Sequence, residues 1–113
     1  MTPLEKAAAA LAPADLVLWH ALIAGKALRR GDVQQGMQAV QQGLLAAMQG
    51  EESDPDVAEA ALALWRATAA LLDGDPQGAL VPLVMVVMAP RFRDRVKEAD
   101  RRIAAADAEQ HAA

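Results

Sequence analysis

Side chains able to do chemistry are few in this sequence, and their spacing is poor for catalysis. A nucleophilic hydroxyl needs a base beside it. The chain offers one serine, Ser53 next to a helix start, and two threonines, Thr2 and Thr68. Thr2 suits a helix cap. Thr68 falls on the inward row of a helix, where bonding a backbone carbonyl is its expected use. His20 has the chemistry of a general base or a metal ligand. Its helical neighbours are Leu16, Ile23, Ala24 and Ala27, which suit a structural histidine on an apolar face better. His111 lies in the tail with no evident partner.

Charged clusters come next. Glu51, Glu52, Asp54 and Asp56 could gather a hard cation through carboxylate oxygens. They lack the calcium-loop spacing and Pro55 interrupts them, so solvated acids plus a helix cap account for them. The glycines are single turn or helix residues and form no phosphate-cradling loop. Residues 91–102 hold Arg91, Arg93, Arg95, Lys97, Arg101 and Arg102 against Asp94, Glu98 and Asp100. Such a helix could contact phosphates. Its interleaved acids, the lack of stacking partners apart from Phe92 and the chain's net charge of −4 favour a solvated helix laced with ion pairs, or an acidic protein partner. The expectation is therefore a non-enzyme with no catalytic residue, no metal ligand, no cofactor and no nucleic-acid partner.

The elements that position these groups read as helices. Hydrophobic residues make up 54% of the 113, mostly Ala, Leu and Val, with one Phe, two Trp and no Tyr. That composition suits helices that approach closely within a single domain. Cysteine is absent, which excludes a disulfide framework and thiolate metal sites and fits a reducing compartment. Thr2-Pro3-Leu4-Glu5 is a capping box with proline at the first helical position, a helix start in place of a secretory leader. The longest strongly apolar run, Ala79 to Ala89, is too short to span a bilayer. A cytoplasmic protein with no membrane partner is expected.

Periodicity predicts a first helix over 3–11, ended by Pro13, and an apolar, central helix over 14–30. A third over 33–49 carries the stripe Val33, Met37, Val40, Leu44 and Met48, beside a second stripe of small residues, Gly36, Ala39, Gly43 and Ala47. The small stripe predicts the close approach of a neighbouring backbone. Asp54-Pro55 opens a helix to about residue 73, with Val57, Ala61, Leu64, Thr68 and Leu71 inward and Leu62, Trp65 and Leu72 extending the apolar face. Asp75-Pro76 opens the next, which contains Pro82 and stops at Pro90. Its valines would also suit a strand, but no second strand candidate exists to pair with it. The last helix, 91 to about 108, turns Phe92, Val96, Ala99 and Ile103 inward and frays from Asp107.

Two parts of the chain repeat. Leu18-Trp19 and Leu64-Trp65 each precede a Gly-Asp turn, Gly31-Asp32 and Gly74-Asp75, and a second apolar stretch. Glycine supplies a left-handed helix stop and aspartate caps the following helix. Gly74-Asp75-Pro76-Gln77-Gly78-Ala79-Leu80 with Pro90 beyond resembles the second half of a tetratricopeptide (TPR) helical hairpin, and Gly31-Asp32-Val33-Gln34-Gln35-Gly36-Met37 is a weaker copy. Ala24 and Ala67 match the family's small position seven residues before each turn. The turns lie 43 residues apart against the family's 34, and Arg66 replaces a packed leucine. The resemblance implies a peptide- or protein-binding scaffold, with an assembly or secretion co-chaperone as one version.

The expected fold is all-α, with about six helices in one domain: an N-terminal helix (1–12), two hairpins (13–50 and 54–90) and a charged C-terminal helix and tail (91–113). Two partner surfaces are candidates. One is a neutral face of Gln34, Gln38, Gln41 and Leu45, because no charge occurs from Val33 to Gly50 and interface cores are depleted of charge. Solvent exposure alone would explain it equally. The other is the helix after Pro76, whose Val84, Val87 and Met88 would form the seam of an architectural homodimer if they are not core. Arg91, Arg93, Arg95, Arg101 and Arg102 form the electrostatic patch.

Overall fold

The computed structural model describes residues 2–50 and 54–112, which form six α-helices and a short 3-10 turn, with no strand among the described residues. The helices are α1 (Pro3–Ala9), α2 (Pro13–Arg29), α3 (Val33–Met48), α4 (Pro55–Leu72), α5 (Pro76–Val87) and α6 (Arg93–Ala112), with the turn at Pro90–Phe92. The all-α class and the number of helices agree with the sequence. Glu51, Glu52 and Ser53 lie outside the described residues.

Local chemistry explains where the helices begin. Thr2 Oγ1 accepts from the Glu5 N–H at 3.1 Å, and Asp32, Asp54 and Asp75 accept from Gln35, Asp56 and Gly78 N–H groups at 3.0, 2.9 and 2.9 Å. Each cap satisfies an N–H that the helix cannot. Pro13 does more than stop the first helix: that helix already ends at Ala9, and Pro13 is the first residue of α2. Proline is favoured there because its missing N–H has no helical acceptor.

The two Gly-Asp turns are built alike. Gly31 and Gly74 have φ of +83° and +74°, a region that side chains disfavour. Gly31 and Asp32 donate to the Leu28 and Ala27 carbonyls at 3.1 and 2.9 Å; Gly74 and Asp75 donate to Leu71 and Ala70 at the same two distances. Both turns thus close with the double hydrogen bond that satisfies a helix's last carbonyls. The Gln35 side chain accepts from Arg30 in place of bonding back to the cap.

Helix α2 lies at the centre, with α3, α4, α5 and α6 packed around it. Val17, Leu18, Leu28, Val40, Leu64, Leu83 and Phe92 belong to the main core. A second cluster sets Trp19 against Ala99 and Ile103 of α6, with Leu4, Ala8 and Leu11 packed beside it.

The inward faces carry smaller residues than the periodicity suggested. On α3, Gly36, Ala39, Val40, Gly43 and Ala46 are buried, whereas Val33 and Met48 are exposed. A Cβ on Gly43 would lie 2.5 Å from Leu64 Cδ1 and 3.0 Å from His20 Cβ, and one on Gly36 would lie 2.6 Å from Leu28 Cδ2. The glycines therefore admit leucine side chains first, and at Gly36 the α2 backbone also comes close, with the Ala24 carbonyl oxygen 3.7 Å from where a Cβ would lie. Helix α4 buries Val57, Ala60, Ala63, Leu64, Ala67 and Leu71, while Leu62, Trp65 and Leu72 face out. Close-packed helices leave little volume between them, so alanine turns inward and the large side chains turn outward. Helix α5 continues through Pro82, and α6 stays helical to Ala112 beyond the expected fraying point.

Candidate functional site

Residues Ala58, Leu62, Trp65, Ala69 and Leu72 fall on one side of α4, and all are exposed. Val81 and Met85 of α5, with Met88 at its C-cap, do the same. Between the two helices runs a groove of about 460 Å³, lined by Leu62, Ala63, Val81, Pro82, Met85 and Val86, with Glu59, Arg66 and Gly78 at its edges. Pro82 has no N–H to donate to the Gly78 carbonyl, and both residues line the groove. On the other side of α4 a second groove, about 390 Å³, is walled by Leu44, Met48, Val57, Ala61 and Trp65. Isolated exposed apolar residues are ordinary, and a contiguous set on one face is a candidate interaction surface.

The glutamine face is where the sequence put it. Gln34, Gln38, Gln41 and Leu45 are all exposed on α3. Gln38 also helps line a groove of about 340 Å³ that reaches Leu4, Glu5, Trp19 and His20. The expected seam on α5 is rotated. Val84 and Val87 are half-buried against Ala21, Leu22 and Gly25 of α2, so only Met88 of that set is free to meet a partner. The helix turns its 81, 85 and 88 positions outward because α2 occupies the opposite side.

The arginine patch is largely engaged within the chain. Arg91 pairs with Asp56 and Glu59; Arg95 pairs with Asp56 at 3.1 Å and lies 3.4 Å from Asp15 Oδ1, without hydrogen-bond alignment to that oxygen. These contacts tie the Pro90–Phe92 turn and the start of α6 to the starts of α2 and α4. Arg101 and Arg102 both bond Glu98, at 2.6 and 2.9 Å, and their hydrogen bonds hold its carboxyl down at about 2. Arg93 has no ion pair among the described residues. The expected Glu98 to Arg102 pair is present, and so is an unforeseen one between Lys26 and Asp100 at 3.1 Å.

Groups with catalytic potential are dispersed. The Thr68 hydroxyl donates to the Leu64 carbonyl at 2.9 Å, as its position suggested. His20 is half-buried, and desolvation lowers its pKa to about 4. Among the described residues no three His, Asp or Glu side chains gather as a metal site, and no helix is long and apolar enough to cross a membrane. Sequence reasoning missed the outward stripe of α4. Its signal was present: α4 is apolar on more than one side, and its alanines alternate with its large residues. Neither a protein-family model, nor a curated protein, nor a solved structure matches the chain.

Proposed function

We propose that this chain is a non-catalytic interaction module that binds a protein or peptide through the outer face of its second hairpin. The observation that supports this is the exposure of Leu62, Trp65, Leu72, Val81, Met85 and Met88 together on α4 and α5. Leaving each in water forgoes on the order of 1 kcal/mol of burial free energy, which a partner would recover. Trp65 is the natural anchor, since tryptophan is enriched among residues that dominate binding energy. The methionines allow the groove to adapt to what fills it. A cytoplasmic setting belongs to the same proposal, because a cysteine-free domain loses no staple under reducing conditions.

Photo-crosslinking side chains placed singly at Val81, Met85 and Gln38, in the cells that produce the protein, test this. Discrete adducts from positions 81 and 85 that disappear with Leu62→Glu are expected. Adducts from position 38 alone would move the binding site to the glutamine face of α3 and overturn the assignment.

A further inference from the structure

The partner itself can be narrowed, given that this face binds protein. Exposed residues 58, 62, 65, 69 and 72 on α4 are separated by four, three, four and three positions, and 81, 85 and 88 on α5 by four and three. An alternation of three and four is the 3.5-residue repeat of a helix that packs lengthwise against another helix. The residues following 58, 65 and 72 are Glu59, Arg66 and Asp73, all exposed, so the edge of this seam alternates in sign. Charges at such edges select partner and orientation. Helix α5 carries no charge from Pro76 to Ala89, so the surface beside that edge is fit for burial.

We propose that the partner is a second copy of this chain, with the two α4 helices packed antiparallel about a twofold axis near Ala63 and Leu64. That axis lies at the midpoint of Pro55–Leu72, so the whole helix overlaps its copy. Leu62 then opposes the partner's Trp65, Ala58 opposes the partner's Ala69, and Glu59 comes beside the partner's Arg66 on both sides of the axis. Arg66 has no ion pair among the described residues, and Arg91 engages Glu59 through Oε2, which leaves Oε1 for a second donor. A parallel arrangement would put the two edges that carry Glu59 and Arg66 on opposite sides of the joint, where neither charge meets its opposite. The antiparallel arrangement also brings the α5 seams, with Val81 and Met85, to the same side of the joint, so that two hairpins form a four-helix layer.

Light scattering after size-exclusion chromatography, on the full chain across a range of concentrations, tests this. A mass of about twice 11.9 kDa is expected. Arg66→Glu should weaken dimerisation about tenfold or more by opposing two acids at both ends of the joint. Glu59→Arg should weaken it as well, and the double variant should recover most of the loss. Leu62→Glu should give a monomer with unchanged circular dichroism. A monomer at every concentration, or a dimer indifferent to Arg66→Glu and Leu62→Glu, overturns the proposal. If the monomer is still captured from position 81 by a different protein, the binding face survives and the second copy does not; if nothing is captured, both fail.

Discussion

In the first hairpin, Trp19, twelve residues before its turn glycine, is 1% exposed beneath α1 and α6; in the second, Trp65, nine residues before its own, is 60% exposed. The leucine before each, Leu18 and Leu64, is fully buried in both. The turns that follow have the same glycine conformation, the same pair of hydrogen bonds and the same aspartate cap. Local sequence therefore sets both turns alike, whereas the 43-residue spacing of the turns aligns Trp19 with Leu62 and Trp65 with Leu22, so the two tryptophans differ in their place on the helix as well as in what lies above them. Over Trp19, Leu4, Ala8 and Leu11 complete a small core with Ala99 and Ile103. Over Trp65, nothing among the described residues does so. Helices α1 and α6 cover the outer side of the first hairpin, and among the described residues Trp65 of the second stays exposed.

Paired substitutions probe that difference most directly. Trp19→Ala should cost about 3–5 kcal/mol in urea unfolding, whereas Trp65→Ala should stay within about 1 kcal/mol. Equal losses would mean that Trp65 is covered in solution.

A pH titration separates the hairpins next. His20 belongs to the first, and its folded pKa of about 4 lies below the ordinary 6.5. Above pH 6.5 both states are neutral and the group has no effect. As pH falls from 6.5 towards 4 the unfolded chain takes up the proton first, so stability drops, by on the order of 2 kcal/mol after allowance for partial exposure. His20→Leu should flatten the curve between pH 6.5 and 4.5. The Glu98 carboxyl, held near 2, withdraws its contribution only as pH falls below about 4.5.

Glycine substitutions give smaller effects of opposite sign. Gly43→Ala meets Leu64 and His20 at the joint between the hairpins and should destabilise by about 1–2 kcal/mol. Gly25→Ala meets no atom within 4 Å and should stabilise α2 by about 0.5–1 kcal/mol. Thermal unfolding of the two variants beside the wild type checks both. A neutral Gly43→Ala would show that Leu64 has room to turn away.

Much of the fold was legible because helix punctuation is short-range. Pro55 and Pro76 at first positions, the aspartate caps and the Gly-Asp stops are decided by residues a few positions apart, and the structure reproduces them. The candidate surface was less so. Val84 and Val87 belonged to an apolar run with no polar side to orient it, and only contact with α2 shows that they face inward while Val81 and Met85 do not. The glutamines of α3 were legible as an exposed face because polarity itself orients them.

By itself the sequence determined the helices, their caps, their stops and the likeness of the two Gly-Asp turns, since each depends on φ preferences and hydrogen bonds within a turn or two. Only the tertiary structure decided which apolar side of α4 and α5 is core. Both sides of those helices favour burial, and hydrophobic burial has no direction of its own. The volume left between close-packed helices made the choice: it admitted alanine and glycine, and left Leu62, Trp65 and Met85 outside.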